Sequence, residues 1–176
     1  MIPGWFDWQD IYDDVALKTP EGESVVELGV CLGCSLLYLA SKVAETGEHI
    51  KIYAIDEWDN KTFLDTVDPN DPIALDIKWH DNYFQAFLSH LRDSGLEDYV
   101  HVIRTRTQDI KLNFKPYFTF VDASHDYDSA KRDITNFKAD WMAGHDYTNQ
   151  FPGVIQAVKE QFPDAKQRGN CWEYKK

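Results

Sequence analysis

The chain is short of cysteine, of basic residues and of long apolar runs, and each shortage removes a class of protein. Three cysteines among 176 residues are too few, and odd in number, for a disulfide framework. Cys31 and Cys34 form one C-x-x-C with no second pair and no histidine at ligand spacing, so a structural zinc site is not expected there. A redox dithiol at a helix start stays open beside a turn-filling role, and Cys171 reads as a core residue of a strand. Lys and Arg number 18 against 30 Asp and Glu, a formal net charge of −12 with a pI near 4.8. So acidic a surface repels a polyanion, and nucleic acid is disfavoured as a partner. No apolar run reaches membrane-spanning length, and the opening Met1-Ile-Pro-Gly-Trp-Phe-Asp-Trp8 lacks the basic start and apolar centre of a secretion signal. A soluble, cytoplasmic chain with no membrane contact is expected. Hydrophobic residues at 43% suit one domain over residues 1–176 with a sizeable core.

Strands and helices alternate along the chain, which points to an α/β, doubly wound, mostly parallel sheet covered on both faces. A preliminary helix is expected over 5–17, with Trp8, Ile11, Tyr12 and Val15 at helical spacing. Strands follow at about 24–28, 51–55, 100–104 and 117–121, with a stub of a fifth near 140–144 and a closing strand at 171–175. Helices are expected at 35–44, 78–94, 126–140 and 153–162. Residues 57–76, rich in Asp, Asn, Pro and Thr, read as a long loop, and its Asn60 to Asp76 part is expected to carry acceptor specificity together with the N-terminal helix.

The most informative stretch is Ser24-Val-Val-Glu-Leu-Gly-Val-Cys-Leu-Gly-Cys-Ser35: a buried strand, a glycine turn and a helix start. Such a turn lets backbone N–H groups and a helix N-terminus approach a ligand closely. The next strand closes on Asp56, placed to take ribose hydroxyls. A dinucleotide site would show G-x-G-x-x-G; here Cys31 stands in the middle and Glu27 precedes the turn. A carboxylate there repels a diphosphate and attracts a sulfonium or ammonium. S-adenosylmethionine (SAM) is therefore favoured over NAD.

Polar clusters close the strands: Asp56-Glu57-Trp58, Thr105 to Asp109, Asp122 to Tyr127, and His145-Asp146-Tyr147. An open α/β sheet gathers such positions on one rim, where ligands bind. Asp122 either caps the following helix, a role Ser124 fills equally well, or contacts a ligand. His125 is either an exposed helix-start residue or a general base. Asp122, His145 and Asp146 together form a candidate site for a hard cation such as Mg²⁺, with the histidine tilting the choice toward a transition metal.

These motifs, in this order, resemble the class I SAM-dependent methyltransferases, and within them the small bacterial and phage group called methyltransferase family 24. The resemblance runs through Ile2-Pro-Gly-Trp-Phe6, Val25 to Ser35, Tyr53-Ala-Ile-Asp56-Glu-Trp58, Phe120-Val-Asp122-Ala-Ser-His125-Asp-Tyr127, Lys131-Arg-Asp133-Ile134, Ala143-Gly-His145-Asp146-Tyr147, Gly153 to Val158 and Cys171-Trp-Glu-Tyr174. It implies a Rossmann-like, seven-stranded sheet in the order 3-2-1-4-5-7-6 with the last strand antiparallel. It also implies that Glu27, Gly29, Gly33 and Ser35 surround the methionine part of SAM, that Asp56 holds the ribose and that Trp58 lies near the sugar or adenine. Arg106, Thr107 and Gln108 would approach the adenine, and Asp122 with His125 would face the transferred methyl. By the same resemblance Mg²⁺ would sit on Asp122, His145 and Asp146. The fifth strand and the stretch before Cys171 are shorter than in similar chains. A displaced His145-Asp146 pair and a truncated terminal hairpin are therefore expected, as in a streamlined, phage-like member.

The function expected is methyl transfer from SAM to a small hydroxylated or sugar-like acceptor, with Asp122 or His125 as base and His145 and Asp146 completing the rim. A catalytically silent SAM-binding module, an NAD-dependent oxidoreductase and a metal-dependent sugar-modifying enzyme are the rivals. Six tryptophans and a short sheet edge are compatible with a homodimer.

Overall fold

A computed structural model describes residues 2–80 and 82–176. Met1 of the opening segment and Asp81 of the helix expected from Lys78 lie outside the described residues. The elements are α1 (Gln9–Lys18), β1 (Ser24–Leu28), α2 (Cys34–Thr46), β2 (Lys51–Asp56), α3 (Asn60–Thr66), α4 (Pro72–Lys78), α5 (Tyr83–Ser94), β3 (Val100–Arg104), β4 (Phe118–Val121), α6 (Tyr127–Asn136), β5 (Trp141–Gly144), α7 (Pro152–Gln161), β6 (Lys166–Arg168) and β7 (Cys171–Lys175). They build one sheet in the order β3-β2-β1-β4-β5-β7-β6. β1 to β5 pair in parallel, and β7 runs antiparallel to both β5 and β6.

Burial follows from this order. The central strands β4 and β5 are buried at every residue, and β1 at every residue after Ser24, because helices cover both faces of a parallel sheet. One apolar core joins α1, α2 and α5 to the sheet; the other lies under α6 and α7. Among the described residues no helix is long and apolar enough to cross a membrane.

Three expectations are corrected. Residues 57–76 are not a loop, since α3 and most of α4 lie within them. Asp59 accepts from the Thr62 N–H, and Asp71 accepts from the Ile73 N–H ahead of Pro72. The Asp and Pro residues that suggest a loop are helix starts here. The expected 78–94 helix is broken into the end of α4 and α5, because Asn82 caps a fresh start by accepting from the Phe84 N–H. The terminal hairpin is intact: β6 is three residues long, and a tight Gly169-Asn170 turn lets it pair with β7 from Arg168↔Cys171 outward. The short connection saves length in the turn, without loss of a strand.

Short as it is, β5 stays in register with β4 to its last residue. Val121 pairs with Gly144, and the His145 N–H donates to the Val121 carbonyl at 3.1 Å.

Candidate active site

Hydrogen bonds running past the strand ends assemble one rim. The Gly29 N–H donates to the Ile55 carbonyl (3.0 Å), Thr105 to Asp56 (2.8 Å) and Asp122 to Leu28 (2.9 Å). At the β1 turn Gly29 and Gly33 have φ of +83° and +89°, and Cys31 between them has +51°. A Cβ on Gly29 would lie 1.9 Å from the Asp122 carbonyl oxygen. Only a residue without a side chain lets the β1 turn and the β4 end close on each other. Gly33 starts α2 with no side-chain cap, leaving N–H groups of the first turn free for an anionic ligand group.

Glu27 has a different part from the one its position suggests. It is 1% exposed, and its two oxygens accept from the Tyr12 hydroxyl and the Ser35 hydroxyl, each at 2.7 Å. The carboxyl thus ties α1 and α2 to β1 beneath the turn, and Ser35 is spent on the same tie. Tyr12 is a partner that helical spacing alone reads only as an apolar contact. A tyrosine rather than a phenylalanine at a buried position is the available signal, since a buried phenol needs a hydrogen-bond partner. Burial pushes the Glu27 pKa up to about 8, against the lowering effect of the Ser35 and Tyr12 hydrogen bonds. An acid whose folded pKa is raised stabilises the fold fully below its unfolded pKa and loses that contribution as pH rises through the folded value. Thermal denaturation of wild type is therefore expected to lose midpoint between about pH 4.5 and pH 8, and Glu27→Gln to flatten that slope. An unchanged slope in the variant would show that the proton resides elsewhere.

Asp56 is engaged mainly with backbone. Oδ2 accepts from the Val30 and Cys31 N–H groups at 2.8 and 3.0 Å, and Oδ1 from the Trp58 N–H at 2.7 Å. The Glu57 N–H also bears on this carboxylate, so most of its acceptor capacity goes to backbone. Trp58 is wholly buried, with φ +44°. Its indole N–H donates to the Cys31 carbonyl at 2.8 Å, and its ring stacks on Phe87 with centroids 4.7 Å apart. It buttresses the turn and presents no surface to a sugar or adenine. Arg106 and Gln108 are exposed and Thr107 half-buried, the last two in a 3-10 turn, and Arg106 faces Glu57 at 3.8 Å.

The loops after β4 and β5 bring Asp122, His125, His145 and Asp146 together. His125 Nε2 lies 2.7 Å from Asp146 Oδ2, and His145 Nδ1 lies 3.4 Å from Asp146 Oδ1 and 3.8 Å from Asp122 Oδ1. Asp146 has φ +58°, a strained conformation for a residue with a side chain, of a kind that gathers at functional sites. Burial works against its ionisation, yet hydrogen bonds from both histidines hold it well below the usual carboxylate range. Burial lowers the affinity of His125 for a proton, but the Asp146 hydrogen bond and charge raise its pKa overall. Burial pushes Asp122 up to about 7, with the histidines opposing. Groups this close titrate as a set.

The trio whose ligand atoms converge is Asp122, His125 and Asp146, all within 4.8 Å. His145, named for Mg²⁺ on sequence grounds, turns its Nε2 away toward Asp7 instead. Mg²⁺ takes one or two carboxylates and keeps several waters, but Asp146 Oδ2 already lies against His125 Nε2, and Asp122, His145 and Asp146 do not form a converging trio among the described residues.

A seven-stranded sheet of this order, with a glycine turn after β1 and carboxylates closing β2 and β4, defines a class I methyltransferase. The chain matches the model of the methyltransferase domain family 24 over residues 26–147 and belongs to that family. It is a SAM-dependent methyltransferase. Solved structures share the fold at low identity. The O-methyltransferase NovP superposes with TM-score 0.68 at 12% identity, covering 96% of this chain and 78% of that one. An rRNA-methylase from Clostridium thermocellum, itself assigned only provisionally, gives TM-score 0.61 at 14% identity, with 94% and 86% covered. A SAM-dependent O-methyltransferase from Thermotoga maritima gives 0.59 at 15%, this chain spanning 52% of its length. Comparison with curated proteins gives no match.

Proposed function

We propose that the acceptor is a hydroxyl of a small, sugar-like or otherwise hydroxylated molecule, and that His125 removes its proton while Asp146 positions the imidazole. The observation that carries this is the 2.7 Å His125–Asp146 pair, whose imidazole stays 40% exposed at the rim while its carboxylate partner is largely covered. A base oriented by a second group and open to an incoming hydroxyl is the geometry of general-base catalysis. SAM supplies an electrophilic methyl on sulfur. As the acceptor oxygen bonds to that carbon, the carbon–sulfur bond breaks and the acceptor proton goes to His125 Nδ1, the nitrogen left with a lone pair while Nε2 donates to Asp146. The protein's other task is alignment. The uncapped start of α2, the Gly29–Gly33 turn and the Asp56 carboxylate are the groups available to hold the nucleoside, with Arg106 to Gln108 flanking. The charge of −12 speaks against an RNA acceptor.

The test is transfer of labelled methyl from SAM to a panel of sugars, nucleotide-linked sugars and phenols, with ribosomal RNA alongside. Label in a hydroxylated small molecule and none in RNA is the expected result. Label in RNA overturns the acceptor assignment, and tight SAM binding with no turnover of any acceptor overturns it in favour of a silent binding module.

A further inference from the structure

Beyond the acceptor site, His145 has a second face. Its Nε2 is buried and makes no hydrogen bond among the described residues, although Asp7 Oδ1 stands 3.3 Å away. Around it stand Asp7 and Cys171, and the three ligand atoms lie within 4.8 Å of one another. We propose that Asp7, His145 and Cys171 bind a divalent cation of the zinc class, through one carboxylate oxygen, Nε2 and the thiolate, leaving a fourth position open to water or another ligand.

Four features support the site. The donor set of thiolate, imidazole and carboxylate suits zinc and its neighbours rather than Mg²⁺ or Ca²⁺. Zinc–nitrogen and zinc–oxygen bonds at a tetrahedral angle put their two ligand atoms about 3.3 Å apart, and His145 Nε2 lies 3.3 Å from Asp7 Oδ1. The other imidazole nitrogen, Nδ1, faces Asp146 Oδ1 at 3.4 Å, the carboxylate–histidine arrangement that commonly orients a metal-binding ring. Asp7 is oriented too: its Oδ2 accepts from the Asn170 amide at 2.8 Å, which turns Oδ1 inward. Cys171, 1% exposed, begins β7 beside that same Asn170.

The ligands come from separate parts of the chain: the N-terminal segment, the end of β5 and the start of β7. The N-terminal segment also touches the far side of the rim, where the Trp5 indole donates to Asp71 at 3.2 Å and stacks on Phe63. A cation at Asp7 fastens that segment to the sheet and holds the His145 ring that borders the acceptor site. The site is read with metal alone, so it stands or falls separately from the acceptor assignment.

Metal-free protein titrated with Zn²⁺ by calorimetry, and with Co²⁺ followed by absorption, tests it. One equivalent is expected, with a thiolate-to-cobalt charge-transfer band and the visible spectrum of a four-coordinate ion. Cys171→Ser is expected to remove that band, and both Cys171→Ser and Asp7→Asn to weaken Zn²⁺ at least about tenfold, while Cys34→Ser and His125→Ala keep both. Asp7 is exposed, so its variant reports on the site even if the Cys171 variant fails to fold. Absence of stoichiometric binding, a cobalt spectrum without the thiolate band, or loss of binding in His125→Ala with retention in Asp7→Asn overturns the proposal.

Discussion

Gly29→Ala is expected to leave a chain that neither holds its native fold nor binds SAM. The new methyl would sit 1.9 Å from the Asp122 carbonyl oxygen and 2.5 Å from its carbon, with φ at +83°. The left-handed conformation alone costs about 1–2 kcal/mol for a residue with a side chain. The overlap adds more, because the obstructing atoms are backbone at the end of a fully buried strand and cannot turn aside. Relief would require the β1 and β4 ends to part, breaking the 2.9 Å bond from the Asp122 N–H to the Leu28 carbonyl. A total above about 4 kcal/mol is a large share of the roughly 5–15 kcal/mol that holds a typical domain together. Gly47→Ala is the control: φ is +74° and nothing lies within 4 Å, so only the conformational cost applies. Urea denaturation of the two variants separates them. A Gly29→Ala midpoint equal to that of Gly47→Ala would refute the packing account.

His125→Ala is expected to lower kcat/KM about 10²–10³-fold at neutral pH while SAM affinity stays within about twofold. The base must be neutral to accept a proton, and Asp146 holds the His125 pKa above its ordinary value. Activity of the wild type therefore rises with pH through that raised pKa and levels above it. Asp146→Asn removes the anion that stabilises the imidazolium, so the rising limb moves to lower pH and the plateau falls, as it does when an orienting group is lost. Rates measured from about pH 5 to about pH 9 distinguish this from a structural role. A uniform loss with no movement of the limb would assign Asp146 to structure alone, and a variant His125→Ala with full activity would shift the base to Asp122.

Much of the fold is legible in the residues. Runs such as Val25-Val26 and Phe118 to Val121, apolar but for Thr119, suit strands buried between helix layers, and each appears within a residue or two of its expected place. The glycine turn and the polar residues at strand ends mark the rim. What could not be read is which polar side chain bonds to which. Glu27 is tied to Tyr12 and Ser35, which reach it from elements distant in sequence, and spacing alone does not show that tie. The family supports the SAM assignment. Trp58 is likewise buried against the turn, and the backbone bonds of Asp56 are not visible in its spacing. In 57–76 the same residue types serve loops and helix starts, and only the caps at Asp59 and Asp71 decide between them.

Local chemistry is what the chain carries in its order: where the backbone can bend at Gly29 and Gly33, which runs must hide from water, and which groups can titrate near neutrality. Those depend on neighbours a few positions away, and so they survive in a linear text. The pairing of His125 with Asp146, the enclosure of Glu27 and the meeting of Asp7 with His145 and Cys171 were settled by the tertiary structure. Each joins segments that only sheet register and helix packing bring within a few ångströms, and over such short distances a charge or a lone pair acquires its function.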